Sequence, residues 1–138
     1  MLEIATTTAL IRARARRRAF LSFGEVAFAS EAPWARARRQ MGPHLKQVCA
    51  DALAAGGPLV SAIVINAQHI RTGAMAPETL AGFLASARDL GLALPEDGGA
   101  FLRAHQEATF VWVADATIRV GLDPDRPCHS WRRENESA

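Results

Sequence analysis

Ser22-Phe23-Gly24-Glu25 fixes where a helix must start, and so constrains this chain more than any other segment. A serine at the N-cap accepts from the amide three residues on. A glutamate at that third position returns to the N-cap amide, so one tetrapeptide satisfies two donors that a helix start leaves without partners. A short helix over 23–29 should follow. Ser30-Glu31-Ala32 breaks it, and Pro33, with its fixed φ and missing N–H, suits the first turn of the next. That next helix, over 33–55, is the best patterned in the chain. At about 100° per residue, Trp34, Ala37, Met41, Leu45, Val48, Cys49 and Ala52 share one stripe, with Trp34 read as a core staple. Arg36, Arg39, Gln40, Lys46 and Gln47 share the opposite face. Arg38 intrudes on the apolar stripe and needs a partner or a frayed start. Gly42-Pro43 is a point of kinking or division, and Gly56-Gly57-Pro58 ends the helix.

The flanking segments complete the order of elements. Residues 6–20 read as a first helix, with Thr6, Thr7 and Thr8 supplying cap oxygens and Ala9, Leu10, Ala13, Phe20 and Leu21 on one arc, which Arg17 interrupts. Leu59 to Asn66 reads as a strand: β-branched, short and bounded by turn residues. Residues 67–76 are a loop or the return arm of a hairpin. Pro77 opens a helix to about Leu90, with Leu80, Phe83, Leu84 and Ala87 inward and Gly91 at its end. A turn over 95–99 leads to a last helix over 100–114, with Phe101, His105, Ala108 and Trp112 on one side. Residues 110–114 fit a strand as well, and 116–122 read as extended. The expected organisation is one domain over 1–122 and a polar C-terminal tail over 123–138. Helix, capped helix, short break, longer helix and strand is the order of a helix-turn-helix followed by a wing. The fold class expected is therefore α+β: mainly helical, winged-helix-like, with a small two- or three-stranded sheet.

Charge gives that helix pair a possible use. The chain has 138 residues and a net charge of +2, but nine of its sixteen basic residues fall within 1–46 against three acids. Clustered guanidinium groups concentrate polyanions, which points to DNA. Equally, an Arg-rich chain can simply solvate its helix faces with them. On the DNA reading, Arg36, Arg39 and Gln40 lie nearest base edges and phosphates, Lys46 contacts phosphate, and Arg16 and Arg17 of the first helix add charge. No metal or cofactor is expected.

The stretch Phe20-Leu21-Ser22-Phe23-Gly24-Glu25-Val26-Ala27, followed by the run from Arg36 to Leu45 and then a strand, resembles the DNA-binding half of alkylguanine-DNA alkyltransferases and alkyltransferase-like proteins. The resemblance covers about residues 20–66 and implies a helix that enters the DNA minor groove with an arginine finger. It stops short of chemistry. That family's reactive Pro-Cys-His-Arg motif has Pro58-Leu59-Val60-Ser61 in its place here, and Pro127-Cys128-His129 lies in the tail. The same stretch, with Val64-Ile65-Asn66, Thr72-Gly73 and Phe83 to Gly91, is also similar to a group of small uncharacterised bacterial winged-helix-like proteins, found alone or beside mobile-element and defence genes.

Nothing local in the sequence supports an enzyme. His44, His69, His105 and His129 have no partners at zinc spacing, Cys49 sits on an apolar helix face, and Ser61 lacks a nucleophile-elbow context. The first reading is a non-enzymatic DNA-binding protein. The second is a protein-interaction module, such as a small bacterial toxin or inhibitor acting on replication, transcription or defence machinery. Trp131 and Arg132 in the tail are its candidate contacts. An enzyme site assembled only in three dimensions, around His44, His69 or His105 with nearby carboxylates, is the third. A homodimer is open, no membrane segment is expected, and a reduced cytoplasm is the expected compartment.

Overall fold

The computed structural model describes residues 1–122, with side chains as far as Asp115. Five helices pack around a buried parallel pair of two-residue strands: α1 (Ile4–Arg16), β1 (Leu21–Ser22), α2 (Phe23–Ala29), α3 (Trp34–Ala54), β2 (Val64–Ile65), α4 (Pro77–Asp89) and α5 (Gly98–Leu122). The domain is thus α+β and mainly helical. No helix among the described residues is long and apolar enough to cross a membrane.

The capping box forms as the sequence dictates. Ser22 Oγ accepts from the Glu25 amide at 3.2 Å, and the Ser22 amide donates to Glu25 Oε1 at 3.1 Å. This local event limits the sheet. Ser22 is both the last residue of β1 and the N-cap of α2, so the ladder ends at Leu21↔Val64 and Ser22↔Ile65. The expected eight-residue strand over 59–66 is accordingly not formed. Val60–Ile63 is one turn of 3₁₀ helix, and only Val64–Ile65 is extended. Side chains complete the hydrogen bonding that a ladder would have supplied. Leu59 N donates to His105 Nδ1 (3.1 Å), Ser61 N to Cys49 Sγ (3.4 Å), and the Ala62 carbonyl accepts from Gln106 Nε2 (3.0 Å). Residues 59–65 are all buried, because a continuous apolar run reports burial without reporting backbone period. Residues 67–76 form a short 3₁₀ turn (Ala67–His69) and a loop.

α1 is shifted from the expected 6–20. It starts after Glu3, which makes no side-chain cap bond, and ends at Arg16, with Arg18 at φ +50° closing the turn. The threonines do not cap it. Thr6 donates to the Glu3 carboxylate, and Thr7 is buried with Ile11 and Ala15 on the inward stripe, whereas Ala9 and Ala13 are exposed. α3 runs unbroken through Pro43. Gly42 and Pro43 both face solvent, where the Arg39 carbonyl that loses its donor to the proline can be hydrated. Gly56, at φ +88°, turns the chain out of α3. α4 matches its expected span and inward face. α5 is helical through 110–114 and on to Leu122, and it buries Leu102, Gln106, Thr109, Phe110 and Val113. The stripe predicted from Phe101, His105 and Trp112 lies one position round, half-buried. α5 runs antiparallel to α1, with Arg18 paired to Glu107 and the Arg12 guanidinium 5.3 Å from the Trp112 ring centroid.

Candidate nucleic-acid interface

The surface formed by α2, its turn and the start of α3 is held firmly from below. Arg14 of α1 pairs with the Glu25 carboxylate and donates to the Phe20 carbonyl at 2.8 Å, tying α1 to the capping box. Burial raises the Glu25 pKa, but the Arg14 and Ser22 hydrogen bonds and the Arg14 charge outweigh it and hold the carboxyl below its ordinary value. The turn is pinned by Glu31 N to the Phe28 carbonyl (3.0 Å), Ala32 N to the Ala27 carbonyl (2.9 Å) and Glu3 N to Ser30 Oγ (3.1 Å).

Above this base, α3 outruns its neighbours. Of residues 34–40 only Ala37 is buried; Arg36, Arg38, Arg39 and Gln40 are exposed, and none makes an ion pair in the described structure. Trp34 is 49% exposed, so it is not the core staple that its place on the apolar stripe suggested. Arg38 shares that stripe and is exposed as well. Trp34 lies one turn before Ala37, the first buried residue of α3, whereas Arg38 is exposed between the buried Ala37 and Met41. Phe28, at the end of α2, is 85% exposed.

The other predicted contacts divide. Lys46 pairs with Asp89 of α4 at 3.1 Å, so reaching a phosphate would break an existing pair. Arg16 and Arg17 are exposed at the C-terminal end of α1. Arg12, Arg14 and Arg18 are engaged with Trp112, Glu25 and Glu107, which accounts for part of the N-terminal charge within the fold itself. Trp131 and Arg132 lie outside the described residues.

Of the candidate histidines, His44 and His105 are held in packing contacts, His69 is half-buried at the end of the Ala67–His69 turn, and His129 lies outside the described residues. His44, a candidate for an enzyme site assembled in three dimensions, is buried between α3 and α1 with Nε2 2.7 Å from Thr7 Oγ1. The His105 ring lies against Phe101 with centroids 4.6 Å apart and planes tilted by 52°, and its Nδ1 accepts from the Leu59 amide. Among the described residues no three His, Cys, Asp or Glu side chains gather as a metal site. Two surface clefts, one of about 370 Å³ beside Leu10 and Phe28, the other of about 170 Å³ beside Ile11 and Trp112, include no histidine in their walls. Cys49 is buried against Ser61, and that burial pushes its thiol pKa up, away from nucleophilic use.

Burial lowers the pKa of both His44 and His105. A histidine whose folded pKa is depressed resists protonation only in the native state. Stability is therefore full above the unfolded value of about 6.5 and is lost as pH falls below it. The urea midpoint is expected to drop between about pH 7 and pH 5. His44→Gln, which keeps a nitrogen near Thr7 but does not titrate, should flatten that drop. A midpoint constant over this range would contradict the assignment.

The fold and this surface together define a small, mainly helical domain presenting an arginine-rich helix start. No family model, no curated protein and no solved structure matches the chain.

Proposed function

We propose that the chain is a non-enzymatic DNA-binding protein that uses α2 and α3 as a helix-turn-helix, with the first turns of α3 against the nucleic acid. One observation carries the reading. Arg36, Arg38 and Arg39 stand together on an exposed helix start with no ion pair in the described structure, while several other arginines of the N-terminal third are already engaged. Solvated guanidiniums of this kind can exchange water and counterions for phosphate at little cost to the fold. Gln40 adds a side chain able to read a base edge. The domain's likeness to a winged helix rests on the helix pair alone, because β2 is buried and presents no wing to solvent.

The test is fluorescence anisotropy with a labelled DNA duplex at two salt concentrations. Affinity should fall steeply with salt. The Arg36→Ala, Arg39→Ala double variant should bind at least tenfold more weakly and lower the log–log salt slope by about 2. Both side chains are exposed, so the unfolding free energy should stay within about 0.5 kcal/mol of the parent. Unchanged duplex affinity in the double variant would end the proposal.

A further inference from the structure

We infer that the DNA this surface prefers is single-stranded or locally unpaired, and that Phe28 and Trp34 are the side chains on which its bases stack. The inference rests on the DNA-binding reading above and narrows its ligand. Eight aromatic side chains of Phe and Trp are described, and six of them are buried or half-buried: Phe20, Phe23, Phe83, Phe101, Phe110 and Trp112. The two that are exposed, Phe28 at 85% and Trp34 at 49%, flank a single four-residue turn, and that turn leads into Arg36, Arg38 and Arg39.

Single exposed apolar residues need no explanation. Here, however, the two exposed rings flank one turn of the chain, and the exposed Arg36, Arg38 and Arg39, none in an ion pair in the described structure, follow directly after it. Residues 28–40 carry three arginines against Glu31, so the rings sit in a positively charged surround. A partner that is wholly apolar would have to desolvate Arg38, which shares the stripe of Trp34. A polyanion carrying flat apolar rings meets both demands, since phosphates take the guanidiniums and bases take the aromatic faces. In an intact duplex those base faces are stacked on one another and only edges and sugars are offered. Free base faces exist where the strand is single. The platform is also preorganised. The turn is pinned to Ala27, Phe28 and Glu3, so little ordering of the protein is needed when a strand binds.

The experiment compares a labelled 15-nucleotide oligo(dT) with a blunt duplex of the same length, using the full chain. The parent should bind oligo(dT) more tightly. Phe28→Ala and Trp34→Ala should each weaken oligo(dT) binding by tenfold or more, from stacking worth roughly 1–3 kcal/mol per base, and change duplex binding less than threefold. Trp34→Phe should restore most of the loss, which a merely steric role would not predict. Part of the parent's tryptophan fluorescence should be quenched by oligo(dT), and that part should be missing in Trp34→Phe. If the duplex binds in an Arg36- and Arg39-dependent way but oligo(dT) binds no better, or the two aromatic variants leave oligo(dT) binding unchanged, this inference is wrong and the DNA-binding reading stands. If neither probe binds, both fall.

Discussion

Gln106→Leu is expected to lower the unfolding free energy by about 2–4 kcal/mol, seen as a reduced urea midpoint at unchanged slope. Gln106 is buried on α5, and its amide nitrogen donates twice: to the Ala62 carbonyl at 3.0 Å and the Gly73 carbonyl at 2.8 Å. One side chain therefore fastens the 3₁₀ turn before β2 and the loop after it to the same helix. Leucine retains similar volume and apolar packing, so what it removes is the two hydrogen bonds. Each buried carbonyl left without a donor costs about 1–3 kcal/mol. Gln106→Glu should be worse near neutral pH, because a carboxylate would face two carbonyl oxygens, and should recover partly on acidification as the acid regains a donor. A leucine variant as stable as the parent would show that these carbonyls find other donors.

Gly73→Ala should cost a comparable amount, about 2–4 kcal/mol, through two separable causes. Gly73 has φ +79°, a conformation that an L residue adopts at a cost of about 1–2 kcal/mol. A β-carbon there would also lie 2.4 Å from Cζ of Phe20, whose ring packs edge-on against Phe110 with centroids 5.6 Å apart. The ring must swing out, giving up that contact. In a Phe20→Ala background the steric part disappears, and Gly73→Ala should then cost only the backbone part. Because Gly73 is also an acceptor for Gln106, the double variant Gln106→Leu, Gly73→Ala should be less destabilised than the sum of the two. Full additivity would argue that the two residues act independently.

These substitutions and the surface ones should behave oppositely. Gln106 and Gly73 hold the loops beneath the domain and touch no part of the proposed interface. Arg36, Arg39, Phe28 and Trp34 are exposed and should alter ligand binding with little change in stability. A variant set that separates in this way distinguishes a binding surface from a merely wet face.

The sequence read alone found what depends on residues within about four positions of one another. The capping box, the span of α2, the limits of α3 between Pro33 and Gly56, and α4 with its glycine end are all set by hydrogen bonds and dihedral preferences that a few neighbouring residues decide. The exposure of Arg36, Arg39 and Gln40 was legible for the same reason, since helical period places them opposite a long apolar stripe. What that period cannot say is where the stripe's cover ends. Trp34 is exposed because the buried stripe of α3 begins at Ala37, and Arg38 is exposed although Ala37 and Met41 on either side of it are buried. Lys46 meets an acid forty-three residues away. The run over 59–66 became a 3₁₀ turn and two extended residues because its only strand neighbour is spent after two residues on capping α2, so His105, Cys49 and Gln106 complete its hydrogen bonds. In α1, Thr7 turns inward because His44 is there to meet it. Local chemistry fixed where the helices begin and end; the identity of the surface lying against each one, a long-range matter, fixed which side chains were left facing water.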